Sequence, residues 1–411
     1  MLHIINHFTA ICHLTIILTL YVLLLSINVN SFAISNNNHR LKYDSKIQST
    51  ITFSSPLLDE GYPTTVIEYR NGTLHDKPLL VYLPGFDGTL LAPFLQFPEL
   101  GTEFEVWGMS VSMEDRSTVK NLCDQVVQFI IEKLKSNHRR KIYVMGESFG
   151  GILAIEVSLA IAKYNSTILG KNKGLNMGGV VLINPATCYN TSNLAKLGPN
   201  VAEGSSLLYP FKLLSMLPLF TDEYALPQLM KILQGEGLPS VIDTPAREAY
   251  MGRVAFSLPS KLKYMPQETL KWRLNQWLTK GCDLIQSKEE EIKYQLSNVP
   301  VLIIVGEKDN TLPSVSESQR LKGILGSTKT DVHVVKGAGH ACTCGSRVDL
   351  TSLMRRKFLQ DSSTGRQEMK SIASNTSDEY FGLEPRYDGK KIGLSPLKYW
   401  SSEYYFNNRN N

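Results

Sequence analysis

Lys141-Ile142-Tyr143-Val144-Met145-Gly146-Glu147-Ser148-Phe149-Gly150-Gly151 is the stretch from which the rest of the chain is read. Ile142 to Met145 form a short apolar, β-favouring run of the kind that builds a buried parallel strand. Gly146-Glu147-Ser148-Phe149-Gly150 fits G-x-S-x-G, and a helical pattern follows at Ile152, Ile155 and Leu159. A serine on a strand-to-helix turn is held with its hydroxyl exposed, and flanking glycines let strand and helix approach closely. The pattern alone recurs by chance in long chains. Here it stands between a strand and a helix, and Ser148 is read as a nucleophile rather than a plain turn residue.

Such a serine needs a base to take its proton and an acid to orient that base. Behind this type of turn the chain order is serine, acid, histidine. Of the eight histidines only His333 and His340 lie after Ser148. His333 sits in the alternating run Asp331-Val332-His333-Val334-Val335 and reads as a sheet-face residue. His340 ends Lys336-Gly337-Ala338-Gly339-His340, a glycine-rich loop just past that run, where a base belongs. For the acid, the buried strand pattern Pro300 to Val305 leads into Gly306-Glu307-Lys308-Asp309-Asn310-Thr311-Leu312-Pro313. Asp309 falls a few residues past the strand end, before a helix expected near Ser314; Glu307 is its rival, closer to the strand and more solvated.

Acyl transfer also needs two backbone N–H groups aimed at the developing oxyanion. Phe149, next to the nucleophile, is the first candidate donor. Phe86 is the second, in Pro84-Gly85-Phe86-Asp87-Gly88-Thr89 after the strand pattern Leu79 to Leu83. Taken alone, that loop is an ordinary glycine turn; the serine, acid and histidine downstream give it a function.

Leu83-Pro84-Gly85-Phe86-Asp87-Gly88, the Gly-Glu-Ser-Phe-Gly-Gly elbow, Asn184-Pro185-Ala186-Thr187 and Gly306-Glu307-Lys308-Asp309-Asn310 with Pro313 together resemble the α/β-hydrolase half of the phytyl ester synthase (esterase/lipase/thioesterase) family of plastids. The resemblance covers roughly Pro78 to Phe358. It implies acyl transfer or hydrolysis on lipid-like esters. Long members of that family carry a second, acyltransferase domain with an H-x-x-x-x-D motif. The matching string here, His39 to Asp44, lies in a polar leader with no domain around it and reads as coincidence.

The chain has 411 residues, 43% hydrophobic and 20% charged, enough for a full-sized core with an insertion. A net charge of +5 without a dense Lys/Arg run argues against nucleic-acid binding. Met1 to Ser31 contains no Asp, Glu, Lys or Arg, and Leu14 to Ile27 is a nearly continuous apolar run. It suits a signal-peptide core cleaved after Ser31, or a retained membrane anchor. Phe32 and the Ser/Asn-rich segment after it, with Arg40, Lys42 and Lys46, have a transit-peptide composition. The two parts resemble the bipartite plastid leader of algae with secondary plastids, with plain secretion as the alternative.

Strand candidates Val66–Tyr69, Leu79–Leu83, Phe104–Met109 and Val180–Ile183 alternate with helical stretches, notably Val119 to Lys135 with one apolar face. Alternation of this kind implies a parallel, doubly wound sheet with the site at the strand carboxyl ends. About a hundred residues between Asn190 and Val299 are too many for a connection and read as a helical cap. Its apolar clusters pack on the core, and in the functional reading also roof an acyl chamber over Ser148. Six scattered cysteines lack metal spacing or a disulfide framework. N-glycosylation strings at Asn71, Asn165, Asn190 and Asn375 matter only on a secretory route.

The expected architecture is thus an α/β-hydrolase fold with a helical cap insertion. Its parts are a signal peptide or anchor (1–31), a transit-like leader (32–55), core (56–189), cap (190–298), core (299–360) and a polar tail (361–411). The expected chemistry is serine-dependent acyl transfer or hydrolysis by Ser148, His340 and Asp309, with Phe86 and Phe149 N–H as oxyanion donors. No metal or organic cofactor is called for. The expected partners are a lipid ester, an alcohol acceptor and a membrane or lipid-droplet surface, in the plastid. A simple esterase, lipase or peptidase using water is the alternative enzyme. An inactive hydrolase-like binding protein is the alternative of another class.

Overall fold

The computed structural model describes residues 50–56, 77–94, 96–135, 137–167, 174–216, 219, 264–343 and 348–359. The apolar run Leu14–Ile27, the transit-like leader up to residue 49, the strand candidate Val66–Tyr69, much of the expected cap and the tail lie outside them. Among the described residues no helix is long and apolar enough to cross a membrane.

Seven strands form one sheet: β1 (Ile51–Ser54), β2 (Leu79–Leu83), β3 (Glu105–Val111), β4 (Lys141–Glu147), β5 (Asn176–Ile183), β6 (Val301–Gly306) and β7 (Thr330–Val335). Their order is β1-β3-β2-β4-β5-β6-β7, with β1 antiparallel to β3 and every other pair parallel. The central strands β2 and β6 are buried along their whole length, which is why they read as unbroken apolar runs rather than alternating ones. Alternation still sorts their side chains between two layers. Leu79, Val81 and Leu83 pack with Val144, Phe149, Ile152 and Trp277 on one face. Leu80 and Tyr82 pack with Phe97, Phe104, Tyr143 and Ile183 on the other. Truncating any such fully buried leucine to alanine costs about 2–5 kcal/mol.

The expected leader 32–55 is corrected at its end. Ile51–Ser54 pair with Gly108 to Val111 and add an antiparallel edge strand to the sheet. Four residues give too short a pattern to read without their partner strand. The helix from Phe149 runs to Thr167, and β5 starts at Asn176, ahead of the strand expected from Val180.

Helices cover both faces. α1 (Phe97–Glu103) precedes β3, and α2 (Val119–Lys133) is capped by Thr118, whose hydroxyl accepts from the Asn121 N–H. Its buried stripe is Val119, Leu122, Cys123, Val126 and Ile130. α3 (Phe149–Thr167), central to the fold, is buried over most of its length. Where described, the expected cap is helical: α4 (Asn193–Ala202), α5 (Tyr209–Ser215), α6 (Gln267–Arg273) continuing through a π-helical turn (Leu274–Thr279), α7 (Lys280–Ser287) and α8 (Glu289–Leu296). The last two belong with the core layer. Gly281 lies against Ile152 of α3, and Lys288–Glu156 (2.7 Å) and Lys163–Glu291 (2.6 Å) tie α8 and its lead-in to α3. α9 (Ser314–Leu325) starts where expected, and α10 (Leu350–Met354) packs on α1.

Candidate active site

Ser148 sits on the turn between β4 and α3 with φ +55°, a backbone conformation that non-glycine residues rarely adopt. The turn is held from both sides. Ser148 N–H donates to the Ile183 carbonyl (2.8 Å), and the Ser148 carbonyl accepts from Gly151 and Ala186 N–H (2.9 Å each). Glycine is required next to it: a Cβ on Gly146 would stand 1.9 Å from the Gly150 carbonyl oxygen, and one on Gly150 2.1 Å from that of Leu83. Strain at a nucleophile persists because surrounding contacts over-determine it.

His340 Nε2 lies 3.0 Å from Ser148 Oγ, and His340 Nδ1 lies 2.8 Å from Asp309 Oδ2. Asp309 is fixed in turn by the N–H groups of Thr311 (2.8 Å) and Leu312 (3.1 Å) on Oδ1 and by the Ser314 hydroxyl on Oδ2. Burial alone would raise the Asp309 pKa, but the charge and hydrogen bond of His340, with the Ser314 hydroxyl, hold it below the ordinary carboxylate value. Burial likewise disfavours the His340 cation, and the nearby Asp309 charge outweighs it, so the imidazole pKa is raised. The acid loop is zipped to the segment leading to His340 through Glu307 N–H to the Val335 carbonyl (3.0 Å) and Lys308 N–H to that of Ala338 (2.8 Å). The rival acid Glu307 is exposed and accepts from Gly337 N–H (2.7 Å). His333 lies within β7, paired in register with Ile304.

The loop after β2 brings Phe86 alongside. Gly85 and Gly88 close a turn through Gly88 N–H to the Gly85 carbonyl (3.0 Å), and a Cβ on Gly85 would contact the Ser148 Cβ at 3.7 Å. Phe149 begins α3, and the first N–H groups of a helix have no acceptor within it. Phe149 thus directly follows Ser148, and Gly85, the residue before Phe86, lies against the Ser148 side chain.

Two further side chains in the site received no role from the sequence. Glu147, beside Ser148, points to the other face of the sheet, where Tyr82 Oη (2.8 Å) and Thr343 Oγ1 (3.2 Å) donate to its carboxylate. Burial pushes its pKa up to about 7, against the lowering effect of Tyr82. Asn184, fully buried with φ +40°, follows β5. Its Nδ2 donates to the His340 carbonyl (2.6 Å) and contacts Cys342 Sγ (3.3 Å), and its Oδ1 accepts from Gly306 N–H (2.9 Å). One amide thus joins the acid-bearing and base-bearing loops. Asn184 stood in a quoted motif, and only the contact shows why an amide is needed there: it must donate on one side and accept on the other.

Serine, imidazole and carboxylate hydrogen-bonded in line on the loops of a parallel sheet are the arrangement of a nucleophilic hydrolase. The family described as Serine aminopeptidase, S33 matches residues 108–344, a span that includes all three. The chain belongs to that family. This S33-family chain is 28% identical over 293 residues to Phytyl ester synthase 1, chloroplastic, of Arabidopsis thaliana, an alignment covering 69% of this chain and 37% of the relative. It is 28% identical over 223 residues to Phytyl ester synthase 2, chloroplastic, of the same plant, covering 48% and 27%. It therefore spans well under half the length of these curated relatives. Among solved structures, MGS-M2, an alpha/beta hydrolase enzyme from a Medee basin deep-sea metagenome library, is 15% identical with a TM-score of 0.47, covering 70% of this chain and 91% of that one.

Proposed function

We propose that this chain is a serine-dependent lipid acyl hydrolase or acyltransferase. The observation that carries the reading is the hydrogen-bonded line Ser148–His340–Asp309. Ser148 Oγ attacks the ester carbonyl carbon while His340 Nε2 takes its proton, and Asp309 stabilises the imidazolium. The oxyanion of the tetrahedral intermediate is bound by Phe149 N–H and Phe86 N–H. Its collapse breaks the C–O bond, His340 returns the proton to the leaving alkoxide, and an acyl-serine remains. Water or an alcohol then attacks with His340 again as base.

Which acceptor is used separates a lipase from a transferase. The names of the Arabidopsis relatives favour formation of a phytyl ester, and the motif resemblance extends the acceptor to other long isoprenoid alcohols or a glyceride such as diacylglycerol. The same names, together with the leader composition, favour a plastid location. A transferase has to keep water at about 55 M from outcompeting the alcohol, and an oriented acceptor achieves this through effective concentration. An apolar cap over Ser148, on a lipid or droplet surface, is the part of the chain suited to the task.

The test is direct. Purified protein should label with a fluorophosphonate probe at Ser148. Given an acyl lipid with phytol or diacylglycerol, it should form new ester in a proportion that rises with alcohol concentration, read by mass spectrometry. Labelling with free fatty acid as the sole product, whatever alcohol is offered, would leave a lipase or esterase. No labelling at all would leave a binding protein.

A further inference from the structure

Arg273 is fully buried at the end of α6, and none of the chemistry above employs it. A buried guanidinium needs hydrogen-bond partners for its charge; Nε has none among the described residues, and the two terminal nitrogens make the contacts. Here Nη1 donates to the Phe86 carbonyl (2.7 Å), and Nη2 to the carbonyls of Ser112 (2.7 Å) and Val111 (3.3 Å). Asp87, next to Phe86, supplies nearby negative charge. Burial lowers the Arg273 pKa to about 10, which leaves it charged at neutral pH. The loop is shaped to admit it. Gly88 has φ +72°, and a Cβ there would stand 3.0 Å from Nη1 and 2.7 Å from the Val111 carbonyl oxygen.

Phe86 is thereby fixed through both of its peptide planes. The preceding one is held by the Gly85 carbonyl in its turn bond to Gly88 N–H, and the following one by Arg273 on the Phe86 carbonyl. The same cap segment reaches the other donor. The guanidinium carbon lies 4.3 Å from the centroid of the Trp277 ring, and that ring is stacked on Phe149 at 4.5 Å and 13°. Trp277 is fully buried and is anchored by its Nε1–H on the Ser117 carbonyl (2.8 Å). Arg273 and Trp277 straddle the junction where the α-helix widens into a π-helical turn. Such turns occur mostly as single bulges within α-helices and are frequent at functional sites.

We infer that Arg273 and Trp277 form a cap-borne positioning unit that sets both oxyanion donors, Arg273 through the Phe86 carbonyl and Trp277 through the Phe149 ring, so that the cap governs the chemical step as well as substrate binding. This inference rests on the hydrolase reading. A lysine at 273 keeps the charge but has a single head that cannot span the Phe86 and Ser112 carbonyls as a planar fork does.

The experiment counts active sites by fluorophosphonate titration, then measures kcat and KM per titrated site on a medium-chain p-nitrophenyl ester, with the affinity of an alkyl boronic acid that forms a tetrahedral adduct on serine. Arg273→Lys should lower kcat per site by roughly 10- to 100-fold with little change in KM, as expected for a misplacement on the order of 1 Å. Boronate binding should weaken by a similar factor. Trp277→Leu, acting from the Phe149 side, is the second variant and should show the same split. Lys271→Ala, exposed on the same helix, is the control and should leave all three quantities unchanged. Wild-type kcat per titrated site in both variants, with losses confined to the number of sites or to KM, would overturn the inference and leave the hydrolase reading intact. A wild-type protein that neither labels nor turns over would overturn both.

Discussion

Replacing Glu147 by glutamine should alter how stability depends on pH, and the size of the change follows from the burial of that carboxyl. Glu147 is cut off from solvent beneath the nucleophile, and burial raises its pKa from 4.5 to about 7, against hydrogen bonds from Tyr82 and Thr343 that lower it. A carboxyl that binds its proton more tightly in the folded chain than in the unfolded one stabilises the fold below its unfolded pKa. That contribution is lost as pH rises through the folded value. Each pKa unit corresponds to about 1.4 kcal/mol, so wild type should lose about 3 kcal/mol from this group between about pH 4.5 and pH 8. Glutamine fills the same space, still accepts from Tyr82 and Thr343, and does not titrate. The attraction between the Glu147 charge and His340 is already contained in the Glu147 value, where it lowers the pKa, and adds no separate loss. The unfolding free energy of wild type minus that of Glu147→Gln should therefore fall steadily over this range, with other titrating groups cancelling in the difference. Urea unfolding followed by tryptophan fluorescence at several pH values measures it. A difference that stays flat, or rises with pH, would refute the reasoning and mean that the carboxyl is already ionised and satisfied at acid pH.

The remaining expectations concern the catalytic line and its supports. Ser148→Ala and His340→Ala should each lower turnover by about four to six orders of magnitude with the melting temperature little changed; a loss under tenfold would remove either residue from the reaction. Asp309→Asn should cost roughly three to four orders, and should move the acid limb of kcat/KM to lower pH, because burial then acts on His340 without its main opposing charge. Glu307→Gln should leave rate and profile in place, and the opposite ranking would reassign the acid. Asn184→Gly and Asn184→Ala should both lose about 2–3 kcal/mol for the severed bridge, with alanine losing about 1 kcal/mol more for its positive φ. Full stability in the glycine variant, read by thermal melting, would show that the bridge contributes nothing.

Much of this molecule was legible from order and pattern. The Ser148 elbow declares itself because a strained turn between two packed elements tolerates only glycine at Gly146 and Gly150, and that demand is written locally. Asp309 and His340 were singled out because each lies just past a strand pattern, one apolar and one alternating, and a parallel sheet brings its strand ends to one edge. The strands β2 and β6 and the middle of β4 were legible because burial on both faces leaves nearly unbroken apolar runs. β1 was not, since four residues become a strand only by pairing with β3.

Tertiary structure alone decided what depends on contacts between distant segments. The sequence shows Glu147 as one letter inside a motif; its raised pKa arises from burial, against the lowering hydrogen bonds of Tyr82 and Thr343, which reach it from a neighbouring strand and from the loop beyond His340. Asn184 is one amide between two loops that are far apart along the chain. Arg273 carries no signal of its own in the sequence, and folding sets its guanidinium on the Phe86 carbonyl. Local sequence encodes the conformations a segment can adopt without strain. Burial, charge environment and hydrogen-bond partner come from elements that meet only when the sheet closes its layers.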